Sequence, residues 1–264
     1  MNIYFDIKLK GGGVVMRKIV IIIAIITLTI FGLMFYQYHV QKKEISQFET
    51  YQMVLDEKTT DIYEQAKDWT KPISIKTQDP RLKPDFQVMA DFMLNIMIQN
   101  AELRNSYLRA LKDVQWDQFL NVQRLEKDKK SNYIETETML KQVGMMINVY
   151  QKKLDQQETD IQKQIKTLPM KARFRRYLTE AFVNNNNVEN DHTLFELEKK
   201  SYAKAQQIFA ILKSEKWEEK NNTVLFKNEK TVNEFNQLYK EMLVLDQQMK
   251  QVSRSTKREL DRSL

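Results

Sequence analysis

The scarcity of glycine limits most strongly what this chain can fold into. Its five glycines lie at positions 11, 12, 13, 32 and 144, so Gly144 is the only glycine after residue 32. Sheets and tight hairpins need residues that tolerate positive φ, and glycine usually supplies them. The same part of the chain is rich in Lys, Glu, Gln, Leu and Met, which favour helices. We therefore expect an all-α domain of long helices and few loops.

Several kinds of chemistry are excluded by residue type. The chain has no cysteine, which rules out disulfides, thiolate zinc sites and cysteine nucleophiles. Of the two histidines, His39 lies beside a predicted membrane span, so a Ser-His-Asp triad would have to use His192. The formal charge of +7 results from 42 Lys and Arg residues and 35 acidic residues. This mixture indicates a helical surface that carries charges of both signs. We expect no nucleic-acid partner and no cofactor.

One N-terminal segment has the properties of a membrane anchor. Ile19–Tyr36 contains eighteen residues without a charge, and as a helix it would span about 27 Å, close to the thickness of a bilayer. Arg17 and Lys18 precede it, which favours a cytoplasmic N-terminus. We predict a signal anchor over residues 16–38 in the inner membrane of a bacterium, with the C-terminal domain in the periplasm. A cleaved signal peptide is the alternative, but no small-x-small site follows Ile30.

The first fifteen residues do not fit the segment that follows. Lys10-Gly11-Gly12-Gly13 is the in-frame translation of a purine-rich ribosome-binding site, and it precedes Met16 by a few codons. We interpret residues 1–15 as a mis-annotated leader before a start at Met16. A short cytoplasmic tail is the alternative.

Prolines and polar runs divide the remaining chain into helices. Pro72, Pro80 and Pro84 place a connector over residues 70–84, after a helix that ends near Trp69. Further breaks are expected at Pro169, near 113–116, at 184–187 and at 221–223, with one long helix over about 128–167. Apolar residues then recur every three or four positions on each segment. The last helix carries Val232, Phe235, Leu238, Met242, Leu245, Met249 and Val252. This periodicity predicts an elongated, antiparallel helical bundle, with coiled-coil-like packing, over residues 39–264.

The C-terminal part contains the one segment that does not have a helical pattern. Asn221-Asn222 is a turn signal, and the apolar run that follows predicts an extended segment packing Val224 and Phe226 onto the bundle. Trp217 would cover one end of the bundle. Thr231-x-x-Glu234 matches a capping box and predicts the start of the final helix.

The tail also resembles a known family. Trp217, the segment Thr223-Val-Leu-Phe226 and the run Val232-Asn-Glu-Phe-Asn-Gln-Leu238 are similar to the tails of helical envelope lipoproteins from enterobacteria. About 25 residues carry the resemblance, and the chain departs from that family where an anchor helix replaces the lipidated cysteine. The resemblance implies an envelope location and brings no activity.

Two clusters are candidate binding sites. Met89, Met93 and Met97 repeat every four residues, so their thioethers share a helix face and could ligate Cu(I). The alternative is that they fill the core. The second cluster, which could contact anionic lipid or an acidic partner, consists of Lys171, Arg173, Arg175 and Arg176. A solvated helix start is the alternative for these residues.

No catalytic constellation stands out. Acidic pairs such as Glu135/Glu137 or Asp155/Glu158 could serve a glycan hydrolase, but helical bundles carry such pairs as surface charge. We therefore predict a non-enzymatic, membrane-anchored scaffold that binds an envelope partner or a second copy of itself. A sensor of small molecules is the alternative, and a membrane-tethered hydrolase is a third class.

Overall fold

The computed structural model describes residues 42–184 and 189–263, and this part of the chain is predominantly helical. A short 3-10 turn at Trp116–Gln118 follows the second helix. Strands β1, Trp217–Lys220, and β2, Thr223–Phe226, lie between the last two helices. The seven α-helices of the described residues are α1 Lys42–Lys67, α2 Pro84–Asp113, α3 Val122–Lys130, α4 Ile134–Thr167, α5 Ala172–Asn184, α6 Glu189–Ser214 and α7 Glu229–Ser263.

The predicted anchor, Ile19–Tyr36, lies outside the described residues, as do residues 1–15. None of the helices within residues 42–184 and 189–263 has the length and apolar character needed to cross a bilayer. The anchor and the orientation inferred from it therefore stay predictions.

The proline-rich connector is confirmed. α1 ends at Lys67 and α2 begins at Pro84, the first helical position, where the missing N–H of proline costs nothing. Between them the chain forms turns and a segment without regular secondary structure, and side chains of α1 bind its backbone. Gln65 accepts a hydrogen bond from the Ser74 amide at 2.9 Å and donates one to the Ser74 carbonyl at 3.3 Å. Lys58 Nζ donates to the Lys76 carbonyl at 2.7 Å.

The long helix expected over 128–167 begins later than the periodicity predicts. α3 ends at Lys130, and α4 starts at Ile134 after a tight turn. Asn132 and Tyr133 take φ values of 54° and 62° in that turn. Such values interrupt a right-handed helix, and for the bulky Tyr133 they are uncommon. The apolar spacing continues across the turn, so periodicity alone does not reveal it.

The strictly all-α prediction is wrong in one place, because β1 and β2 form an antiparallel hairpin. Its register pairs Trp217 with Phe226 and Lys220 with Thr223. The two-residue turn is Asn221-Asn222, with φ values of 53° and 58°. Two positive φ values are typical of a type I′ turn, in which asparagine can replace glycine. The extended Thr223–Phe226 segment is confirmed, whereas its partner strand was not predicted.

The N-cap of the final helix lies three residues before the Thr231 that the capping box predicts. The side chain of Asn228 accepts a hydrogen bond from the Lys230 amide at 2.9 Å, and its carbonyl accepts one from the Val232 amide. Asn228 is therefore the N-cap, and α7 starts at Glu229. Thr231 lies inside the helix and is buried. The capping-box assignment is wrong because Asn228 offers an equally good cap earlier in the chain.

Two compact units divide the described residues. The hairpin unit contains residues 107–150 and 192–254, and the connector unit contains residues 42–106, 151–184, 189–191 and 255–263. The core of the hairpin unit includes Phe119, Tyr133, Met139, Ile208, Leu212, Trp217 and Met242. The core of the connector unit includes Phe48, Tyr51, Phe86, Met89, Met93, Met97, Ile165 and Phe174.

Candidate functional sites

The predicted basic cluster at the start of α5 is partly engaged inside the connector unit. The Lys171 amide donates to Asp85 Oδ1 at 3.1 Å, and its ammonium lies 3.3 Å from Asp85 Oδ2. Arg175 donates from one guanidinium nitrogen to the Leu168 carbonyl at 3.1 Å and to the Met170 carbonyl. Those carbonyls follow the end of α4, so Arg175 supplies hydrogen-bond donors to backbone carbonyl groups just beyond that helix.

The other two cations of the cluster have different surroundings. The Arg173 guanidinium lies over the Phe174 ring at 4.9 Å, and Arg176 approaches Glu180 at 4.0 Å. Arg176 is exposed. Because Lys171 and Arg175 join segments of the protein, the four residues do not form a single outward basic surface. Contact with lipid or a partner at Lys171, Arg173, Arg175 and Arg176 stays a prediction, for which the exposed Arg176 is best placed.

The methionine stripe lies in a closed core. Met89, Met93 and Met97 share one face of α2, as their spacing predicts, and all three are fully buried. Thr59 Oγ1 lies 3.5 Å from Met97 Sδ, in hydrogen-bond contact. This burial favours the core-filling interpretation over a copper site. Within residues 42–184 and 189–263, no three His, Cys, Asp or Glu side chains are placed to hold a metal ion together.

The acidic pairs considered for catalysis are bound to separate partners. Glu135 lies 3.2 Å from Arg124, and Glu137 pairs with Lys213 of α6. Asp155 accepts a hydrogen bond from Gln151 at 2.7 Å. The side chain of Glu158 lies outside the described residues, as does that of His192, although the backbone of His192 belongs to α6. These contacts give Glu135 and Glu137 structural partners of their own.

A buried polar network that the sequence did not reveal fixes the start of α4. Asp128 Oδ1 accepts from the Glu135 amide at 3.0 Å, and Oδ2 accepts from the Thr136 amide at 2.8 Å and its hydroxyl at 2.6 Å. Arg124 donates to the Gln118 and Phe119 carbonyls. Asp128 thus caps a helix from outside it, across the turn at 132–133. No sequence signal marks this contact, because the turn itself is not evident.

A second group of buried hydrogen bonds joins residues that are far apart in the sequence. Tyr133 Oη donates to the Leu212 carbonyl at 2.8 Å, and Trp217 Nε1 donates to Tyr133 Oη at 2.8 Å. Burial raises the pKa of the Tyr133 hydroxyl above its ordinary value. The Lys129 ammonium lies 4.3 Å from the centre of the Trp217 ring. The predicted covering role of Trp217 is therefore accompanied by specific polar contacts.

The surface of α4 carries an exposed apolar stripe within the hairpin unit. Ile134, Met145 and Val149 are 65%, 51% and 54% exposed. At 100° per residue they fall within an arc of about 60° and extend over about 22 Å of helix. Thr138 and Lys141, which lie between them, are exposed too. We call Ile134, Met145 and Val149 the α4 stripe.

Comparison with known proteins identifies no relative. No family model matches the sequence, and neither a curated protein nor a solved structure matches it. The resemblance of the tail to enterobacterial envelope lipoproteins therefore stays a prediction.

Proposed function

We propose that the chain is a non-enzymatic envelope protein that binds a protein partner. Ile19–Tyr36 would hold it in the inner membrane of a bacterium, with the N-terminus inside and residues 39–264 in the periplasm as an elongated, antiparallel bundle. The charge-free apolar run, the helical composition and the resemblance of the tail to envelope lipoproteins support this placement.

The α4 stripe is the observation that supports partner binding most directly. Single exposed apolar residues are ordinary, but three large ones on one face of a helix favour an interaction surface. Lys141, which is exposed between Ile134 and Met145 on the same helix, adds a positive charge beside the α4 stripe. The proposed partner is a periplasmic protein that presents an apolar face with a carboxylate opposite Lys141. Helices commonly dock in this way, with anchors spaced along one face.

Site-specific photo-crosslinking tests this proposal. A photoreactive side chain at Thr138 of the full-length protein, activated in native membranes, is expected to capture one protein through its periplasmic part. The double variant Met145→Glu/Val149→Glu should abolish the crosslink, and Lys141→Glu should weaken it. The matched control carries the photoreactive group at Gln162, which is exposed on the same helix.

Three results would overturn the proposal. The crosslink could persist in Met145→Glu/Val149→Glu, or it could join only two copies of this chain, which would indicate self-association. It could also capture only lipid, which would indicate a membrane-facing surface. The amount of folded protein, measured by circular dichroism of each purified variant, must match the wild type for the comparison to hold.

A further inference from the structure

The hairpin unit contains a partly enclosed cavity with a volume of about 90 Å³. Side chains of α2, the 3-10 turn, α4, α6 and α7 surround it. Most of its wall is apolar, because aromatic rings, aliphatic side chains and methionines form it. The rings belong to Tyr107, Trp116 and Tyr202, and the methionines are Met242 and Met249. Such a wall favours a ligand with an apolar body.

The two carboxylates on the wall are already engaged. The Lys250 ammonium lies 2.5 Å from Asp246 Oδ2, and Glu198 has a contact of its own. No Lys or Arg is among the described residues that line the cavity. A charged ligand would therefore leave water for a mostly apolar enclosure without an available counter-charge, which is costly. The cavity thus favours a neutral ligand.

One hydroxyl on the wall has no partner within the described part of the chain. Ser201 of α6 is half-buried, and its hydroxyl makes no hydrogen bond with any residue of 42–184 or 189–263. The hydroxyl of the neighbouring Tyr202, by contrast, donates to the Leu140 carbonyl at 3.0 Å and accepts from Gln206 at 3.2 Å. A serine hydroxyl can both donate and accept. Ser201 can therefore bind a hydroxyl or carbonyl oxygen of a ligand.

Packing fixes two of the rings in the wall. Tyr107 stacks on Tyr150 with ring centres 4.7 Å apart. The ring centre of Trp116 lies 4.8 Å from that of Phe119. Rings held in this way need no reordering when a ligand enters, which lowers the entropic cost of binding.

The third ring, that of Tyr202, is placed by the only glycine of the described residues. A Cβ at Gly144 would lie 2.5 Å from the Tyr202 hydroxyl oxygen, closer than real contacts allow. Gly144 therefore lets the tyrosine approach α4 and keep its ring at the cavity.

We propose that this cavity binds a small neutral molecule with a compact apolar body and one hydroxyl or carbonyl group. The apolar body would lie among the rings and methionines, and the oxygen of the ligand would form a hydrogen bond with Ser201. Since a cavity of about 150 Å³ accepts benzene, one of about 90 Å³ fits a body of roughly four carbon atoms. The ligand class is therefore a short, branched alcohol or ketone. The site does not depend on the partner surface of α4.

Methyl NMR of the full-length protein in detergent tests this proposal, because Met242 and Met249 line the cavity. The protein, with isotope-labelled methionine methyl groups, would be titrated with tert-butanol and with tert-butylammonium, which has the same shape and a positive charge. We expect tert-butanol to shift the signals of Met242 and Met249 until they saturate, and to leave those of the exposed Met53 and Met145 unchanged. The charged probe should bind at least about tenfold more weakly.

Two substitutions of Ser201 separate its hydroxyl from the space of the cavity. Ser201→Ala should weaken binding of tert-butanol about three- to tenfold and leave binding of xenon, which forms no hydrogen bond, unchanged. Ser201→Leu places an apolar side chain in the cavity and should abolish binding of both probes. The matched control is Ser106→Ala, which alters an exposed serine of α2 that does not line the cavity and should bind as the wild type does.

Each variant must first show the helix content of the wild type by circular dichroism. Equal binding of tert-butanol and tert-butylammonium would then overturn the proposal. So would unchanged affinity for tert-butanol in Ser201→Ala, or binding of xenon that persists in Ser201→Leu. The same holds if tert-butanol shifts neither Met242 nor Met249 in wild-type protein whose hairpin unit shows full protection in hydrogen exchange.

Discussion

Buried polar groups are hydrogen-bonded more completely in the hairpin unit than in the connector unit, although Asp117 Oδ1 and Glu126 Oε2 of the hairpin unit also have no hydrogen-bond partner among the described residues. In the hairpin unit, Asp128, Tyr133 and Trp217 are buried and hydrogen-bonded to segments up to 88 residues away. In the connector unit, the Tyr51 hydroxyl and both polar atoms of the Asn105 amide are buried without a hydrogen-bond partner among the described residues. Burial raises the pKa of Tyr51 far above its ordinary value, as expected for a hydroxyl surrounded by apolar atoms.

This difference shows how each unit specifies its structure. A satisfied polar contact adds little net stability but becomes costly when one partner is removed. The hairpin unit therefore depends on particular residue pairs. The connector unit depends on filling space with Met, Phe and Leu, and its unpaired polar atoms reduce its stability. Substitutions of buried polar residues should thus have opposite effects in the two units.

The largest expected effect comes from removing Trp217. Trp217→Ala leaves a cavity in the hairpin unit and removes the indole donor from Tyr133, so we expect a loss of about 3–5 kcal/mol in the free energy of unfolding. Hydrogen exchange resolved by peptide should show lost protection in residues 107–150 and 192–254. The control is Trp69→Ala, at a half-buried position, which should cost less. Retained protection of the hairpin unit in Trp217→Ala would contradict the comparison.

A smaller effect is expected at Gly144. Gly144→Ala pushes its Cβ against the Tyr202 hydroxyl and should cost about 1–3 kcal/mol by overpacking. In a Tyr202→Phe background the clashing oxygen is absent, so the same substitution should cost less. Urea denaturation of the four proteins in this cycle measures the coupling between the two positions. Equal costs in both backgrounds would show that Tyr202 does not restrict Gly144.

Acid should weaken the connector unit by a modest amount. Arg81 binds both carboxylate oxygens of Asp79, at 2.8 and 2.9 Å, and lowers the pKa of Asp79 from 3.8 to about 2. Because the pKa of Asp79 is lower in the folded state, its ionised carboxylate stabilises the fold when the pH is above the ordinary pKa of 3.8. This contribution disappears as the pH falls through the pKa of the folded state. Arg81 also binds Glu57 of α1, so the pair attaches the connector to that helix.

The pH dependence can be isolated by substitution. Urea denaturation between pH 5 and 2 should show the wild type more stable than Asp79→Asn at the upper end, with the difference vanishing from about pH 4 to about pH 2. Asp61→Asn, which removes an exposed carboxylate of α1, serves as the control. A difference between wild type and Asp79→Asn that does not shrink between pH 4 and pH 2 would rule out this assignment.

The smallest effect is expected at Asn105. Asn105→Leu replaces an amide that has no hydrogen-bond partner by an apolar side chain of similar size. We therefore expect a change within about 1 kcal/mol, with a gain in stability favoured. Thermal unfolding of the full-length protein measures it. A loss above about 2 kcal/mol would indicate that the amide is satisfied, and would remove the contrast between the units.

The sequence predicts most helices because proline position and apolar spacing are local signals. Pro72 and Pro84 enclose a connector, and the face of Met89, Met93 and Met97 is buried as an amphipathic pattern requires. The break before Ile134 is not predicted, because Asn132 and Tyr133 adopt positive φ without glycine. The turn at Asn221-Asn222 was predicted, whereas the strand before it, Trp217–Lys220, was missed because Glu218, Glu219 and Lys220 are polar and exposed. At both turns asparagine adopts a positive φ, so glycine content underestimates the number of turns.

Candidate sites were harder to predict than helices, because they depend on contacts between distant segments. Nothing near Lys171 indicates that Asp85, 86 residues earlier, would bind its amide and ammonium. The side chains that line a cavity of the hairpin unit come from five elements, α2, the 3-10 turn, α4, α6 and α7. Each residue taken alone has the pattern of an ordinary helical surface or core. Only their three-dimensional arrangement distinguishes them.

The division of each unit along the chain determines when it can fold during synthesis. Residues 107–150 of the hairpin unit have to wait for Leu212 and Trp217 before Tyr133 gains its hydrogen bonds. The connector unit is closed earlier, by α5. Contacts across such long separations form slowly, because the ends of a long loop must first be brought together. For an exported chain, the first half of the hairpin unit would cross the membrane unfolded and remain exposed to proteases until the C-terminal part arrives.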